Sequence, residues 1–286
     1  MGRDIEQAPL EPGLYVVATP IGNLGDITAR ALDTLRRADV VAAEDTRHTR
    51  ALLNHFGISA KLVSLHEHNE RRAAGQVVEW IRAGQAVALV SDAGTPAVSD
   101  PGSGVVDAVR ASGAAVVPVP GASALTAALS ASGLGYDGVV FAGFLPAKGA
   151  ERKARLAALA AGPWAIALFE APHRVKATLA DLHRTLGERD IVIAREVTKR
   201  FETIARMPLA GALAWVEGDA DRVRGEFVLL VEGRDPGPRS AGADPRAVLA
   251  ALLSELPVKQ ATALAAKITG ARRNDLYAMA LEMKDL

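Results

Sequence analysis

The chain has 286 residues, within the range of two average domains, and its 33 Lys and Arg balance 33 Asp and Glu. A formal net charge of zero gives the whole chain no general attraction to a polyanion, so DNA is not implied as a partner. Cysteine is absent, which excludes disulfides and thiolate metal sites and fits a reducing, cytoplasmic setting.

Hydrophobic residues make up 49% of the chain and aromatics only 4%. A core of Ala, Val and Leu suits buried parallel strands packed closely under helices. Met1-Gly-Arg-Asp-Ile-Glu6 has no apolar run of the kind a secretory signal carries. No uncharged apolar run of about 18 residues occurs, so no membrane span is expected.

Residues 1–12 read as a short lead. Strand Leu14–Ala18 comes first, then a helix over Asp26–Ala38 with Asp26 as its N-cap. Strand Val40–Ala43, helix Thr46–Phe56 ended by Gly57, strand Lys61–Leu65 and helix Arg71–Ala83 follow. Strand Val87–Val90, helix Gly104–Ala111 and strand Val116–Val119 complete a βαβ alternation, which implies a mainly parallel sheet. A helix over Ser123–Ser130 leads to the turn-rich Gly133–Gly138. The second half restarts with strand Val139–Phe144, helix Glu151–Ala160, strand Trp164–Glu170, helix Val175–Leu186, and strands Asp190–Arg195 and Phe227–Val231. Residues 234–244 are Pro- and Gly-rich and read as a linker, and residues 245–286 as three short helices broken near Pro257 and Gly270. The expected class is α/β: a domain over 13–120 with a mainly parallel sheet, a second over 121–233 with a mixed sheet, and a small helical module.

Chemistry concentrates where strands end. Leu14–Ala18 runs into Thr19-Pro-Ile-Gly-Asn23, Val87–Val90 into Ser91-Asp-Ala-Gly-Thr-Pro96, and Ala115–Val119 into Pro120-Gly-Ala-Ser-Ala124. In open α/β sheets that edge holds the ligand, and small residues let backbone N–H groups reach it. Each loop alone also reads as an ordinary turn, with Asp92 capping its own backbone. Neither G-x-G-x-x-G nor G-x-x-x-x-G-K-[ST] is present, which removes support for nicotinamide and P-loop nucleotides. Ala43-Glu-Asp-Thr-Arg47 ends another strand: Glu44 and Asp45 favour a helix N-terminus or grip a substrate. His66-Glu-His68 has a metal-like spacing but no third His or Cys nearby, so no metal is expected. Between Phe144 and Arg206, twelve Lys and Arg stand against seven Asp and Glu, a local excess able to face phosphates.

Five ordered motifs carry a resemblance: Thr19–Asp26, Ala43–Arg47, Ser91–Pro96, Gly143-Phe-Leu-Pro146 and Arg224–Gly233. From about Gly13 to the C-terminus the chain resembles the bacterial 16S rRNA cytidine 2′-O-methyltransferases of the tetrapyrrole methylase superfamily. The resemblance implies a two-domain α/β homodimer that binds S-adenosyl-L-methionine in an interdomain cleft and leaves S-adenosyl-L-homocysteine. The implied substrate is a cytidine, 1402 in the family's usual rRNA numbering, in 16S rRNA of the small ribosomal subunit. Tetrapyrrole-acting members carry G-x-G-P-G and G-D-P loops, and this chain does not. A tetrapyrrole C-methyltransferase and a non-catalytic ribosome-binding module are the alternatives.

Carried over by motif, cofactor contacts are expected at Pro20, Gly22 and Asn23, at Asp92, Ala93, Gly94 and Thr95, and at Gly121, Ser123 and Ala124. Glu170 and the Gly225-Glu226 turn are further wall elements. For removing the ribose proton the candidates are Glu44, Asp45, Glu196 and Lys199, in no fixed order, with Arg47 and Arg195 on adjacent phosphates. Leu256–Tyr277 reads as helix, turn, helix. There Lys259, Lys267, Arg272 and Arg273 either touch RNA or belong to a helical cap on the dimer.

Overall fold

The computed structural model describes residues 9–66, 69–234 and 244–284. Two compact units divide the chain, one up to Gly233 and the other from Arg234.

The first unit opens with β1 (Gly13–Val17), α1 (Ala29–Arg37), β2 (Val40–Ala43), α2 (Thr46–His55) and β3 (Leu62–Ser64). It continues through α3 (Glu70–Arg82), β4 (Ala86–Val90), α4 (Ser103–Ala111) and β5 (Val116–Val119). Their sheet has the order β3-β2-β4-β1-β5, and every pairing is parallel. The apolar runs explain this, because β2 and β4 are buried along their whole length. One face packs Tyr15, Val17, Ala88 and Val90 with Ala31 and Leu35 of α1. The other packs Leu14, Val87 and Leu89 with Val105 and Val109 of α4. The helices that follow β1 and β4 thus lie on opposite faces, and the carboxyl ends of these adjacent strands are left open, as at a topological switch point.

The chain continues through α5 (Ala124–Ser132), β6 (Val139–Phe144), α6 (Gly149–Ala160), β7 (Ala165–Glu170), α7 (Val175–Leu186) and β8 (Asp190–Arg195). It then adds β9 (Thr203–Pro208), α8 (Leu209–Glu217) and β10 (Phe227–Val231). The second sheet, β6-β7-β10-β8-β9, is mixed: β6 and β7 run parallel and the other pairs antiparallel. Ile166, Leu168, Ile193 and Leu229 on one face pack with Leu179 and Leu182 of α7. Ala167, Val192, Val228 and Leu230 on the other pack with Ala128 of α5.

Two details differ from the sequence reading. The N-cap of α1 is Thr28, whose Oγ1 accepts the Ala31 N–H at 3.1 Å, while Asp26 closes a separate 3₁₀ turn, Leu24–Asp26. The sequence reading also passed over β9 and α8. β9 is an edge strand with alternating half-buried and exposed residues, so it lacks the apolar run that marks its neighbours.

The second unit contains α9 (Pro245–Leu253), α10 (Val258–Thr269) and α11 (Arg273–Lys284), with Leu249, Ala261, Ala265, Leu276 and Ala280 as its core. Pro257 stands at the N-cap of α10, and Gly270 closes it at φ +71°, a left-handed conformation that glycine adopts freely. Most of the linker, residues 235–243, and Glu67 and His68 of the His66-Glu-His68 segment lie outside the described residues. Among the described residues no helix is long and apolar enough to cross a membrane.

Candidate active site

The three small loops meet at the carboxyl edge of the first sheet. Thr19 and Gly94 pair across it: the Thr19 N–H donates to the Gly94 carbonyl at 2.9 Å and the Gly94 N–H returns a bond at 3.0 Å. The Thr19 hydroxyl donates to the Ser91 carbonyl at 3.2 Å, and the Thr95 hydroxyl to the Ala122 carbonyl at 3.3 Å. Gly94 has φ +79°, and a Cβ there would meet Ile21 Cγ2 at 3.3 Å. Only glycine keeps this seam at low strain.

Beside the seam lies a cleft of about 330 Å³. Ile21, Ala93, Gly94, Thr95, Ser123 and Ala124 form its near wall, with Val98, Ser99 and Asp100 at one end. Across it stand Phe144 of β6, Phe169 and Glu170 of β7, Val197, Lys199, Glu226, and Phe227 and Val228 of β10. The loops at its rim hold non-glycine residues in left-handed conformations: Ala97 (φ 65°), Ser99 (φ 68°), Glu196 (φ 51°) and Thr198 (φ 69°). Such conformations persist where surrounding contacts over-determine them, and they cluster at ligand sites.

Lys199 lies over Gly22, where a Cβ would come within 2.3 Å of its Cγ. Its ammonium donates to Glu196 Oε1 at 2.9 Å and Glu226 Oε2 at 2.7 Å. Burial alone would lower the Lys199 pKa, but the two carboxylates raise it, so this cation stays charged. Glu196 also accepts the Glu226 N–H at 2.9 Å. Burial pushes its pKa up, but that bond and Lys199 bring it below the usual value. A Cβ on Gly225 would fall 2.4 Å from Glu196 Cγ, so Gly225 makes room for that side chain. Glu170 lines the cleft, yet its buried carboxylate is occupied by the Thr178 hydroxyl (2.6 Å), the Ala171 N–H (2.9 Å) and Arg174 (3.1 Å).

A second group of charges sits at the ends of β2 and β4. Asp92 Oδ1 accepts the Asp45 N–H at 3.0 Å, tying the two junctions together. Asp45 caps α2 by accepting the Arg47 N–H at 2.8 Å and pairs with the Arg47 guanidinium at 2.7 Å, which holds its carboxyl well below the usual range. Glu44 is raised, chiefly by burial and then by Asp92. Asp100 is pushed up to about 6, first by burial and then by Glu44, with a hydrogen bond from Ser91 opposing. On α2, Thr46, Arg47, Arg50, Ala51 and Asn54 line a separate shallow groove.

Of the residues singled out by sequence, Ala93, Gly94, Thr95, Ser123, Ala124, Glu170, Lys199 and Glu226 therefore line the cleft. Asp92, Glu44, Glu196, Gly22 and Gly225 stand behind that wall as partners or spacers. Pro20 is buried in the first loop, Asn23 caps the 3₁₀ turn, and Gly121 packs against Ala18. Asp45 and Arg47 are not on the cleft wall: Asp45 is the N-cap of α2, and Arg47 lines the groove on that helix. The buried Arg195 side chain donates to the Arg224 and Phe201 carbonyls rather than standing free. The sequence reading missed the aromatic wall and Asp100. The wall was hidden because Phe144 and Phe169 read as strand core, as Phe227 beside them is. Asp100 had a signal in Asp100-Pro101-Gly102, a second turn just beyond the Ser91–Pro96 loop.

The cleft suits S-adenosylmethionine. Backbone and hydroxyl groups of a small-residue wall face aromatic rings, which accommodate an adenosine. Glu226, on the cleft wall, adds a carboxylate that complements a cationic ligand.

The fold and cleft define the class, and the comparisons agree. The chain belongs to the tetrapyrrole (corrin/porphyrin) methylase family, whose model matches residues 13–212. A second model, an RsmI C-terminal HTH domain, matches residues 239–284. The Pseudomonas aeruginosa protein named ribosomal RNA small subunit methyltransferase I is 53% identical over 94% of this chain and 96% of its own length. Proteins of the same name from Escherichia coli O157:H7 and Vibrio cholerae are 49% and 50% identical, over 95% of both chains in each pair. Among solved structures, a cobalt precorrin-4 methyltransferase has TM-score 0.57 at 20% identity, covering 77% of this chain and 94% of its own. A Thermus thermophilus uroporphyrin-III C-methyltransferase complexed with S-adenosyl homocysteine has TM-score 0.53 at 20% identity, covering 77% and 97%. At such identities these structures carry the fold alone.

Proposed function

We propose that this chain transfers the methyl group of S-adenosylmethionine to the ribose 2′-oxygen of a cytidine in 16S rRNA of the small ribosomal subunit. One observation carries the reading: near-full-length identity of about half to proteins named as small-subunit rRNA methyltransferases, on a chain that keeps an intact cleft at the switch point. The tetrapyrrole reading draws on the broad family model and on structures about 20% identical, whereas the relatives of about half identity are named for small-subunit rRNA.

The bound cofactor supplies a methyl carbon already activated by positive sulfur. What remains for the protein is to hold the oxygen in line with it and keep water away. Ala93–Thr95 and Ser123–Ala124 hold the cofactor from the near wall, and Phe144 and Phe169 close the far side. Lys199, clamped between Glu196 and Glu226, fixes the rim. Arg47 and Arg50, on a helix that starts at the same sheet edge, take phosphates beside the target nucleotide. Such a nucleotide is unpaired and splayed out. In this reading the enzyme is cytoplasmic and acts as a homodimer.

The test offers labelled cofactor with two acceptors in parallel, undermodified small ribosomal subunits and a porphyrinogen. The expected result is label in 16S rRNA alone. Label in the porphyrinogen, or in neither acceptor, overturns the reading.

A further inference from the structure

We infer that Asp100 is the general base that takes the 2′-hydroxyl proton; the inference rests on the functional reading above. Asp100 lines the cleft at the end of the Gly94–Thr95 wall. Its loop is fixed from both sides. Ala97 and Ser99 before it hold left-handed conformations at φ 65° and 68°. Beyond it, Glu70 Oε1 of α3 accepts the Gly102 N–H at 3.0 Å and the Gly104 N–H at 2.8 Å. A Cβ on Gly102 would lie 2.9 Å from Leu89 Cδ2, so the turn has no slack against the sheet. A loop strained and braced in this way holds one side chain at a defined place in the cleft wall.

The surroundings of Asp100 suit proton abstraction. It is half-buried, with Glu44, Asp92 and Ser91 close enough to act on its charge, and Lys199 and Glu226 are the other charged groups it shares the cleft wall with besides Glu170. Burial and Glu44 make it a stronger base than an exposed aspartate, yet it is ionised at neutral pH, the compromise that favours general-base catalysis. The other carboxylates and the lysine are engaged elsewhere. Asp45 is paired with Arg47 outside the cleft, and Glu196 with Lys199 and the Glu226 N–H. Lys199 stays an ammonium, and Glu44 is not on the cleft wall. In the step itself, the 2′-oxygen forms a bond to the methyl carbon and the carbon–sulfur bond breaks. Its electron pair stays on sulfur, giving the neutral thioether, and the hydroxyl proton passes to a carboxylate oxygen of Asp100.

The test compares Asp100→Asn and Asp100→Glu with the wild type in single-turnover methylation of small subunits at saturating cofactor and RNA, from about pH 5 to about pH 8.5. Calorimetry measures cofactor affinity in parallel. The wild-type rate is expected to climb about tenfold per pH unit at the acid end and level off above about pH 6. Asp100→Asn should lose about 10²- to 10⁴-fold of the plateau rate and the inflection with it, while cofactor affinity changes by less than about threefold. Asp100→Glu should restore part of the rate. A plateau rate and inflection in Asp100→Asn equal to the wild type overturn the inference and leave the functional reading standing. So does a loss confined to cofactor or RNA affinity. A wild type that binds cofactor but methylates no subunit removes the functional reading, and the inference with it.

Discussion

At the scale of residues, the glycines of the strand-end loops divide by what each faces. Gly94 permits the seam between two loops and lines the cleft, as its sequence context suggested. Gly22 and Gly225 look the same in sequence, but their missing Cβ atoms leave room for Lys199 and Glu196. Only the fold reveals this, because those partners lie far along the chain. Asp100 gives the residue-scale prediction. Its carboxyl is raised from 3.8 to about 6, so the folded state binds more protons than the unfolded state between those values. Wild-type stability therefore falls as pH rises through that window, and the ionised group weighs against folding above it. The full shift would be worth about 3 kcal/mol. For a half-exposed group, solvent screening brings this to about 1 kcal/mol. Chemical unfolding should find Asp100→Asn more stable than wild type by about that amount near neutral pH and above. The gain should vanish below about pH 4. Equal stability differences at both ends would contradict this account of the site's electrostatics.

At the scale of elements, α2 separates a structural role from a chemical one. Asp45 accepts the Arg47 N–H at 2.8 Å at the N-terminus and holds the guanidinium as well. Asp45→Ala should lower stability measurably in chemical unfolding, as the loss of an N-cap does. The maximal single-turnover rate at saturating RNA should stay within a few-fold. A much larger fall in that rate would place Asp45 in the chemistry. Legibility also divides by element. The parallel strands of the first sheet were readable because β2 and β4 are continuous apolar runs. The second sheet was readable for β7, β8 and β10 for the same reason. β9, Thr-Ile-Ala-Arg-Met-Pro, alternates exposure at an edge, and its pattern is weak without its partner β8. The near wall of the cleft was legible because loops advertise themselves by Gly, Pro, Ser and Thr. The far wall was not, because an aromatic residue on a strand carries no mark of which surface it faces.

At the scale of the whole molecule, the cleft is built entirely within the unit that ends at Gly233, and the second unit has a core of its own. Lys259, Lys267, Arg272 and Arg273 are exposed on that second unit. If these helices recruit RNA, replacing the four with Gln should weaken binding to small subunits and flatten its salt dependence, since fewer counterions are released. Cofactor affinity should not change. An unaltered salt slope would assign the helices to another task. The central claim is most directly tested at the product. Small subunits lacking the modification are incubated with the full chain and cofactor, the 16S rRNA is digested, and the methylated nucleotide is identified by mass spectrometry. The account predicts one new mark, a methyl on the ribose 2′-oxygen of a single cytidine. A methyl on a base, or no new mark on 16S rRNA, would contradict it.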